Sequence, residues 1–282
     1  SGPLHLGNVR TALLSWLRAR LCNGQWLLRV DDLDTPRIRP GAIESVLQDL
    51  RWLGLNWDGP LVLQSRRRGL YGSFLSTFRR QGYLYPCRCS RRELGGATIY
   101  PGTCSRLDQG WGLRDARLPA WRLRVAEPFD TVVGDVVLRR ADGVIAYHLA
   151  TSIDELALGI NEVVRGQDLV SVCAAQIAVM SSLGMASPRY GHVPLLCDPS
   201  GQKLSKREQA TGVRSLRDRG DTAAQLTGQL ASSLGLVPPE HAISAEELLE
   251  ELRERQDKLT SLIVGADSSG KVRDRNWEKD SN

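Results

Sequence analysis

The stretch Gly2-Pro3-Leu4-His5-Leu6-Gly7-Asn8 leads directly into an apolar helix pattern. Apolar residues follow it at helical spacing, which predicts a helix over residues 8–21. A glycine turn at a helix N-terminus presents backbone N–H groups and the positive end of the helix dipole, which suits a phosphate. His5 could donate a hydrogen bond to the same phosphate. A purely structural turn is the alternative interpretation.

Strand and helix patterns alternate after this junction. Residues 26–30 have the composition of a buried strand, and residues 41–53 and 69–81 show the periodicity of amphipathic helices. Such alternation is typical of an α/β domain with a parallel sheet. The sequence therefore predicts the α/β class.

Residues 85–145 interrupt the alternation and are predicted to form an insertion. Ser90 and Glu93 are spaced as a capping box for a short helix. The dipeptide Asp142-Gly143 predicts a hairpin turn between two strands within residues 135–149.

The α/β pattern returns after the insertion. It predicts a strand at residues 163–164, a helix that Asp168 could cap and that ends at Leu183, and a strand at 193–196. Two more helices are predicted at 222–234 and 245–255, the second with a capping box of Ser244 and Glu247. The last 18 or so residues are polar, and we expect them to be disordered.

Charge and hydropathy exclude some classes of protein. No run of about 18 apolar residues occurs, so no membrane span is predicted. No secretory signal is visible, and we expect a cytoplasmic location. The net charge of +5 is compatible with a polyanionic partner such as RNA, although charge alone favours an arginine-rich solvated surface.

Three of the six cysteines cluster, at Cys87, Cys89 and Cys104. Without secretory signs, such a cluster favours metal ligands over disulfides. Three thiolates fall short of the four ligands of a structural zinc, so reduced loop cysteines are the alternative. The other cysteines stand within apolar stretches and are predicted to be buried thiols: Cys22, Cys173 and Cys197.

A second basic motif, Lys203-Leu204-Ser205-Lys206, follows a glycine-containing loop. Two lysines three residues apart could supply mobile positive charge to a polyphosphate, whereas a solvated basic loop is the alternative. With both motifs in this order in an α/β domain, the chain resembles the class I aminoacyl-tRNA synthetases. His5-Leu6-Gly7-Asn8 is similar to their HIGH element, and Lys203 to Lys206 is similar to their KMSKS element.

Three further stretches narrow the resemblance to the glutamyl branch: residues 28–34, 146–150 and 163–168. The resemblance covers most of residues 1–207. It implies a Rossmann-like parallel sheet in two catalytic halves with an inserted zinc-binding α+β subdomain and a short helical C-terminal region. The corresponding segments are 1–84 and 146–210 for the two halves, 85–145 for the insertion and 211–282 for the tail.

The resemblance also implies roles for individual residues. ATP, with Mg²⁺, would be bound by Gly2, His5, Gly7, Asn8, Lys203 and Lys206, with His5 and Lys206 stabilising charge on its α-phosphate. L-Glutamate would be bound by Arg165 at its side-chain carboxylate and by Tyr147. Asp31 stands where the family usually has Glu and would contact the α-ammonium group. A salt bridge of Arg165 to Asp168 or Glu162 is the structural alternative.

The region after Lys206 points to a short member of the branch. Residues 207–282 are too few for the large helical anticodon-binding domain of full-length enzymes. The chain resembles in this the short paralogues, which attach glutamate to queuosine at the wobble position of tRNA(Asp). In them a tyrosine completes one structural zinc site, and Tyr100 fits that position beside Cys87, Cys89 and Cys104. Thr151 stands where full-length enzymes usually have Asn.

Several alternatives remain open from the sequence. The family's Arg-Phe-Ala-Pro-Ser strand is not found ahead of Ser1, so we expect a fragment or a misassigned start. A truncated or discriminating glutamyl-tRNA synthetase that charges tRNA(Glu) shares every motif up to Lys206. Another class I-like adenylating ligase, or a non-catalytic RNA-binding module built on the zinc insertion and the arginine surface, is also compatible. We expect a monomer.

Overall fold

The structure, a computed structural model, describes residues 4–34, 38–90, 92–97, 99–196 and 212–265. The helices of this part are α1 (Leu6–Leu21), α2 (Ala42–Trp52), α3 (Arg68–Arg80), α4 (Tyr147–Ala157), α5 (Val170–Ser181), α6 (Val213–Asp218), α7 (Ala223–Ser232), α8 (Ala245–Arg253) and α9 (Gln256–Thr260). Its strands are β1 (Arg29–Val30), β2 (Val62–Leu63), β3 (Leu84–Cys87), β4 (Ala120–Leu123), β5 (Val136–Arg139), β6 (Glu162–Gly166), β7 (Arg189–Val193) and β8 (Val264–Gly265).

Two parallel strand pairs confirm the predicted α/β class. Strand β1 pairs with β2, and β6 pairs with β7 so that Arg165 lies opposite His192. Strand β8 adds an antiparallel edge to β7. In open α/β sheets ligands bind outside the carboxyl ends of the parallel strands, so these ends are where a site is expected.

Helix α1 lies along β6, with one end of the helix near each end of the strand. Arg18, near its C-terminus, donates from Nε to Glu162 at the start of β6, at 2.9 Å. Helix α1 also packs along β6. Because its C-terminal end lies at the beginning of β6, its N-terminal end with His5 lies towards the carboxyl end of that strand.

The C-terminal helices form part of the main core. Leucines of α7 and α8 pack with the buried face of α1 in one cluster, which includes Leu13, Leu14, Leu17, Leu226, Leu230, Leu248 and Leu252. Both helices begin at capping boxes, formed by Thr222 with Gln225 and by Ser244 with Glu247. The predicted capping box at Ser244 is therefore confirmed. The segment predicted to be disordered lies outside the described residues.

The insertion contains a separate antiparallel sheet of β3, β4 and β5. Arg88 fixes the loop that follows β3, because its guanidinium donates to the carbonyl oxygens of Gln109, Gly110, Gly112 and Arg117. Ser90 and Glu93 make both hydrogen bonds of a capping box, but they close a turn and no helix follows.

Three local predictions were wrong. The second hairpin strand is reduced to a single bridge between Arg139 and Ile145, because helix α4 begins at Tyr147 and buries Leu149. Asp168 lies in a 3-10 turn and does not cap α5. The strand predicted at 193–196 is β7, which ends at Val193. No helix of the described part is both long enough and apolar enough to cross a membrane.

Candidate active site

His5 forms the N-cap of α1 and lies at the helix end that was predicted to bind phosphate. Its Nδ1 accepts from the backbone N–H of Asn8 at 3.4 Å. A neutral imidazole that accepts at Nδ1 carries its proton on Nε2, which is then able to donate. Gly7 lies against the ring, since a Cβ there would be 3.4 Å from Nδ1. Gly2 is outside the described residues.

The segment that carries Lys203 and Lys206 is also outside the described residues, but both of its flanks are placed. On one side, Arg10 of α1 donates from Nη2 to the carbonyl oxygen of Pro194. On the other side, His5 forms a bridge with Gly212, and Val213 donates to the carbonyl of Leu4 at 3.3 Å. The described residues on the two sides of this segment, Pro194 and Gly212, therefore both lie beside the N-terminal part of α1.

Arg165 lies near the carboxyl end of β6 and is 7% exposed. Its Nη1 donates to Gln176 Oε1 at 2.7 Å, its Nη2 to Cys173 Sγ at 2.7 Å, and its Nε to His192 Nε2 at 3.3 Å. The guanidinium carbon lies 4.6 Å from the centroid of the Tyr190 ring. No carboxylate of the described residues lies within 4.0 Å of it, and Glu162 pairs instead with Arg18 and Arg189. The salt-bridge alternative for Arg165 is thus not observed there.

The partners of Arg165 are uncharged near pH 7. Burial, and then the charge of Arg165, lower the pKa of His192 to about 4. Burial raises the pKa of the Cys173 thiol and of the Tyr190 hydroxyl. A buried cation surrounded by neutral hydrogen-bond acceptors keeps its charge available for a ligand.

Tyr147 and Asp31 were predicted to contact the amino acid, and Tyr147 lies close enough to Arg165 and to Asp31 for both charges to act on it. Tyr147 is the first residue of α4; burial raises the pKa of its hydroxyl, with Arg165 and Asp31 acting on it in opposite directions. Asp31 follows β1 and accepts from Arg29 Nε at 2.7 Å. Its side chain is 39% exposed.

The sequence motifs gave no indication of two adjacent acidic residues on α4, Asp154 and Glu155. Asp154 is completely buried and accepts from Gln64, Arg67 and Tyr71 at 2.7–2.9 Å. Glu155 accepts from the Tyr190 hydroxyl at 2.6 Å, and burial raises its pKa. Two adjacent carboxylates in an otherwise apolar helix were the available sequence signal, since buried acids are almost always paired.

The predicted metal ligands are brought together. The sulfur atoms of Cys87, Cys89 and Cys104 all lie within 4.8 Å of one another. Tyr100 Oη is 3.4 Å from Cys87 Sγ and 3.5 Å from Cys89 Sγ, and it accepts from the backbone N–H of Cys104 at 2.9 Å. Four ligand atoms at these separations fit the shell of a tetrahedral metal ion.

The isolated cysteines are only partly as predicted. Cys173 is completely buried, as its apolar surroundings predicted. Cys22 is exposed, because it follows the last residue of α1 and caps that helix with its backbone. Cys197 lies outside the described residues.

Comparison with known proteins assigns most of the chain to one family. The family described as tRNA synthetases class I (E and Q), catalytic domain, matches residues 1–98 and 123–263. The glutamyl-Q tRNA(Asp) synthetase of Prochlorococcus marinus (strain MIT 9303) is 57% identical over 270 residues, which cover 93% of this chain and 88% of that protein. The protein of the same name from Synechococcus sp. (strain CC9605) is 61% identical over 255 residues, with coverages of 90% and 87%.

Solved structures give the same assignment. The crystal structure of a glutamate tRNA ligase from Elizabethkingia meningosepticum, in complex with its amino acid, matches with a TM-score of 0.69 and 26% identity. The match covers 88% of this chain but only 62% of that protein. The chain therefore belongs to the class I tRNA synthetases, in the glutamate and glutamine branch.

Proposed function

We propose that the chain activates L-glutamate with ATP and transfers the glutamyl group to queuosine at the wobble position of tRNA(Asp). The observation that carries the glutamate assignment is the buried guanidinium of Arg165, whose hydrogen-bond partners are all neutral. The relatives named glutamyl-Q tRNA(Asp) synthetase, at 57% and 61% identity, support the choice of acceptor.

The activation step follows from the chemistry of the two substrates. A carboxylate oxygen of glutamate attacks the α-phosphorus of ATP, and pyrophosphate leaves with the bonding electron pair. Negative charge develops on the non-bridging oxygens and on the leaving group, so fixed donors there stabilise the transition state more than the ground state. His5 Nε2, the N–H groups of the first turn of α1, and the ammonium groups of Lys203 and Lys206 are the groups we assign to this role.

The amino acid is held by three side chains in this proposal. Arg165 binds the side-chain carboxylate, for which a guanidinium offers two parallel donors. The Tyr147 hydroxyl donates a hydrogen bond to the substrate. Asp31 accepts from the α-ammonium group while it also accepts from Arg29 Nε.

In the second step a nucleophilic group of queuosine attacks the acyl carbon of glutamyl-adenylate, and AMP leaves. The rival acceptor is the 3′ end of tRNA(Glu), which the likeness to glutamate tRNA ligases favours. The two acceptors use the same adenylate, so only the RNA step separates them.

The acceptor is tested by glutamylation of tRNA(Asp) isolated with and without queuosine, and of tRNA(Glu), using radiolabelled glutamate. We expect label only on queuosine-containing tRNA(Asp). Charging of tRNA(Glu) would support the rival acceptor. If glutamate produces no ATP–pyrophosphate exchange in a chain that binds both RNAs, a non-catalytic RNA-binding module is the better description.

We also propose a structural zinc ion held by Cys87, Cys89, Tyr100 and Cys104. A zinc ion with bonds of about 2.3 Å to sulfur and about 2.0 Å to oxygen holds neighbouring sulfurs about 3.8 Å apart and an oxygen about 3.5 Å from each sulfur. The observed distances from Tyr100 Oη, 3.4–3.5 Å, match the oxygen value, and Cys89 Sγ and Cys104 Sγ, at 3.4 Å, are somewhat closer together than the sulfur value. When bound, zinc would tie the loops after β3 to the sheet of the insertion.

Metal analysis of the purified protein tests the zinc site. We expect one zinc per chain in the wild type and in Cys22→Ser, a matched control with an exposed thiol. Cys104→Ser should lose the metal and make the insertion sensitive to proteolysis. Equal zinc content in Cys104→Ser and Cys22→Ser would contradict the proposed ligand set.

A further inference from the structure

The guanidinium of Arg165 is enclosed by four side chains that carry no charge, which we call the neutral cradle: Cys173, Gln176, Tyr190 and His192. All four are at most 3% exposed. Tyr190 and His192 are two residues apart on β7 and lie on the face of the sheet that carries Arg165. Cys173 and Gln176 lie one helical turn apart on α5. Two elements thus converge on one cation.

Two of the hydrogen bonds from Arg165 are 2.7 Å long, and Gln176 accepts one of them. Its Oε1 accepts from Arg165 Nη1 at 2.7 Å, and its backbone carbonyl accepts from Ser152 Oγ. Its Nε2 is completely buried and has no hydrogen-bond partner among the described residues. A buried amide donor without a partner is costly, so this donor is expected to gain a partner from a bound ligand or from residues outside the described part of the chain.

The charge around Arg165 is as important as the geometry. A glutamate side chain at position 176 would have the same shape and would form an ion pair with Nη1 at the same distance. Glutamine instead satisfies the N–H group and leaves the positive charge uncancelled. Glu155 interacts electrostatically with Arg165, but its carboxylate is not within 4.0 Å of Arg165 and accepts from the Tyr190 hydroxyl.

We propose that Gln176 is a specificity-determining residue, which keeps the charge of Arg165 for the side-chain carboxylate of a dicarboxylic amino acid and so rejects the corresponding amide. This inference rests on the proposed role of Arg165 in glutamate binding. A carboxylate ligand gains the full attraction of a buried cation, whereas an uncharged amide gains only hydrogen bonds. If the cation were already paired inside the protein, this difference would largely disappear.

The test compares two variants of similar shape, Gln176→Glu and Gln176→Met. Glutamate KM is measured by ATP–pyrophosphate exchange, and L-glutamine is measured as a competitive inhibitor through its Ki. In Gln176→Glu we expect the glutamate KM to rise about 100-fold with little change in the glutamine Ki, because only the charged ligand loses its partner. The KM for ATP should be unchanged.

Gln176→Met separates charge from packing. It removes the acceptor without adding a negative charge, so we expect the glutamate KM and the glutamine Ki to rise together, by about fivefold. Gln256→Glu adds the same charge at an exposed position at the start of α9 and should behave as the wild type.

The inference is overturned if Gln176→Glu leaves the ratio of glutamate KM to glutamine Ki within twofold of the wild type. It is also overturned if Gln176→Met changes that ratio as much as Gln176→Glu, since packing would then explain both. Failure of the proposed function is distinguishable, because the wild type would then show no glutamate-dependent exchange, and failure of the proposed role of Arg165 would leave the glutamate KM unchanged in Arg165→Met. A raised KM in Arg165→Met with an unchanged ratio in Gln176→Glu rejects Gln176 alone.

Discussion

Asp154 and Arg165 are both buried charges, yet the protein treats them in opposite ways. Asp154 receives hydrogen bonds from Gln64, Arg67 and Tyr71, and Arg29 Nε lies 3.8 Å from its carboxylate. Arg165 has comparable hydrogen bonding but no carboxylate within 4.0 Å among the described residues. The charge of Asp154 is cancelled by arginines of the protein, whereas the charge of Arg165 has no counter-ion among the described residues.

This difference separates a structural charge from a functional one. A cancelled charge connects elements: Asp154 ties α4 to α3 and to the turn after β2. An uncancelled buried cation weakens the fold, since its desolvation is not offset by a counter-ion. Such a residue is expected where a ligand supplies the opposite charge.

The largest effect should come from removing the uncancelled charge. Arg165→Met keeps most of the volume and loses both of the donors that we propose for the substrate carboxylate. We expect kcat/KM for glutamate in ATP–pyrophosphate exchange to fall by about 10³-fold, because a site built for a charged group rejects ligands it can no longer pair with. The unfolding free energy, from urea denaturation, should not fall.

The unfolding free energy of Arg165→Met distinguishes a ligand-binding role of Arg165 from a structural role. Loss of an unpaired buried cation relieves a desolvation cost, so equal or greater stability is the expected result. If Arg165→Met instead lowers the unfolding free energy by several kcal/mol and spares exchange, Arg165 is a structural residue like Asp154.

Removing the cancelled charge should reverse the pattern. Asp154→Asn leaves Arg67 without its carboxylate partner, while Arg29 keeps its contact to Asp31, and we expect the unfolding free energy to fall by about 3 kcal/mol. Glutamate exchange at low temperature should fall far less than in Arg165→Met. Asp218→Asn, at a side chain that is 67% exposed, is the matched control and should change stability by less than about 0.5 kcal/mol. Equal stability of the two variants would contradict the structural role.

The neutral state of His192 provides a pH test of the same contrast. Its pKa in the folded protein is about 4, below the ordinary value of 6.5, so the unfolded chain takes up a proton first as the pH falls. This contribution to stability is complete above pH 6.5 and is lost as the pH drops towards about 4. Between pH 7.5 and 5 the loss is about 1–2 kcal/mol.

His192→Gln isolates that contribution, because glutamine keeps an acceptor for Arg165 Nε and does not titrate. Other groups titrate nearby, including His148, whose pKa burial also lowers, and Glu155, whose pKa burial raises. The quantity to compare is therefore the pH slope of the wild type minus that of the variant. Identical slopes would show that His192 is not held neutral beside Arg165.

The fold was largely predictable because local signals and burial agree in most elements. The period of α1 and the capping box at Ser244 are examples in which the residue pattern and the tertiary contacts demand the same helix. Strand β7 was placed too late, since Arg189, Gly191 and His192 do not form an apolar run. Burial of a histidine beside Arg165 is a tertiary effect that strand composition does not encode.

The site was predictable only where a motif carried it. Arg165 and Tyr147 came from the family resemblance, whereas Gln176 and Cys173 lie in a helix whose composition indicates only a core. A glutamine within such an apolar helix is a usable signal, because a fully buried amide needs partners. The identity of those partners depends on the register between β6 and α5, which the sequence alone does not give.

The smallest expected effect comes from removing one hydrogen-bond donor to Asp154. Tyr71 is completely buried, and its hydroxyl is 2.9 Å from both oxygens of Asp154. Tyr71→Phe keeps the ring and removes that donor, so we expect a loss of about 1.5 kcal/mol in urea unfolding, since one hydrogen bond to an ionised group is removed while Gln64 and Arg67 remain. In the double variant with Asp154→Asn, the loss of unfolding free energy should be smaller than the sum of the two single-variant losses, because both substitutions act on one carboxylate. Full additivity would mean that the tyrosine hydroxyl and Asp154 are not coupled, and that the other partners of the carboxylate, Gln64, Arg67 and Arg29, hold it without help from Tyr71.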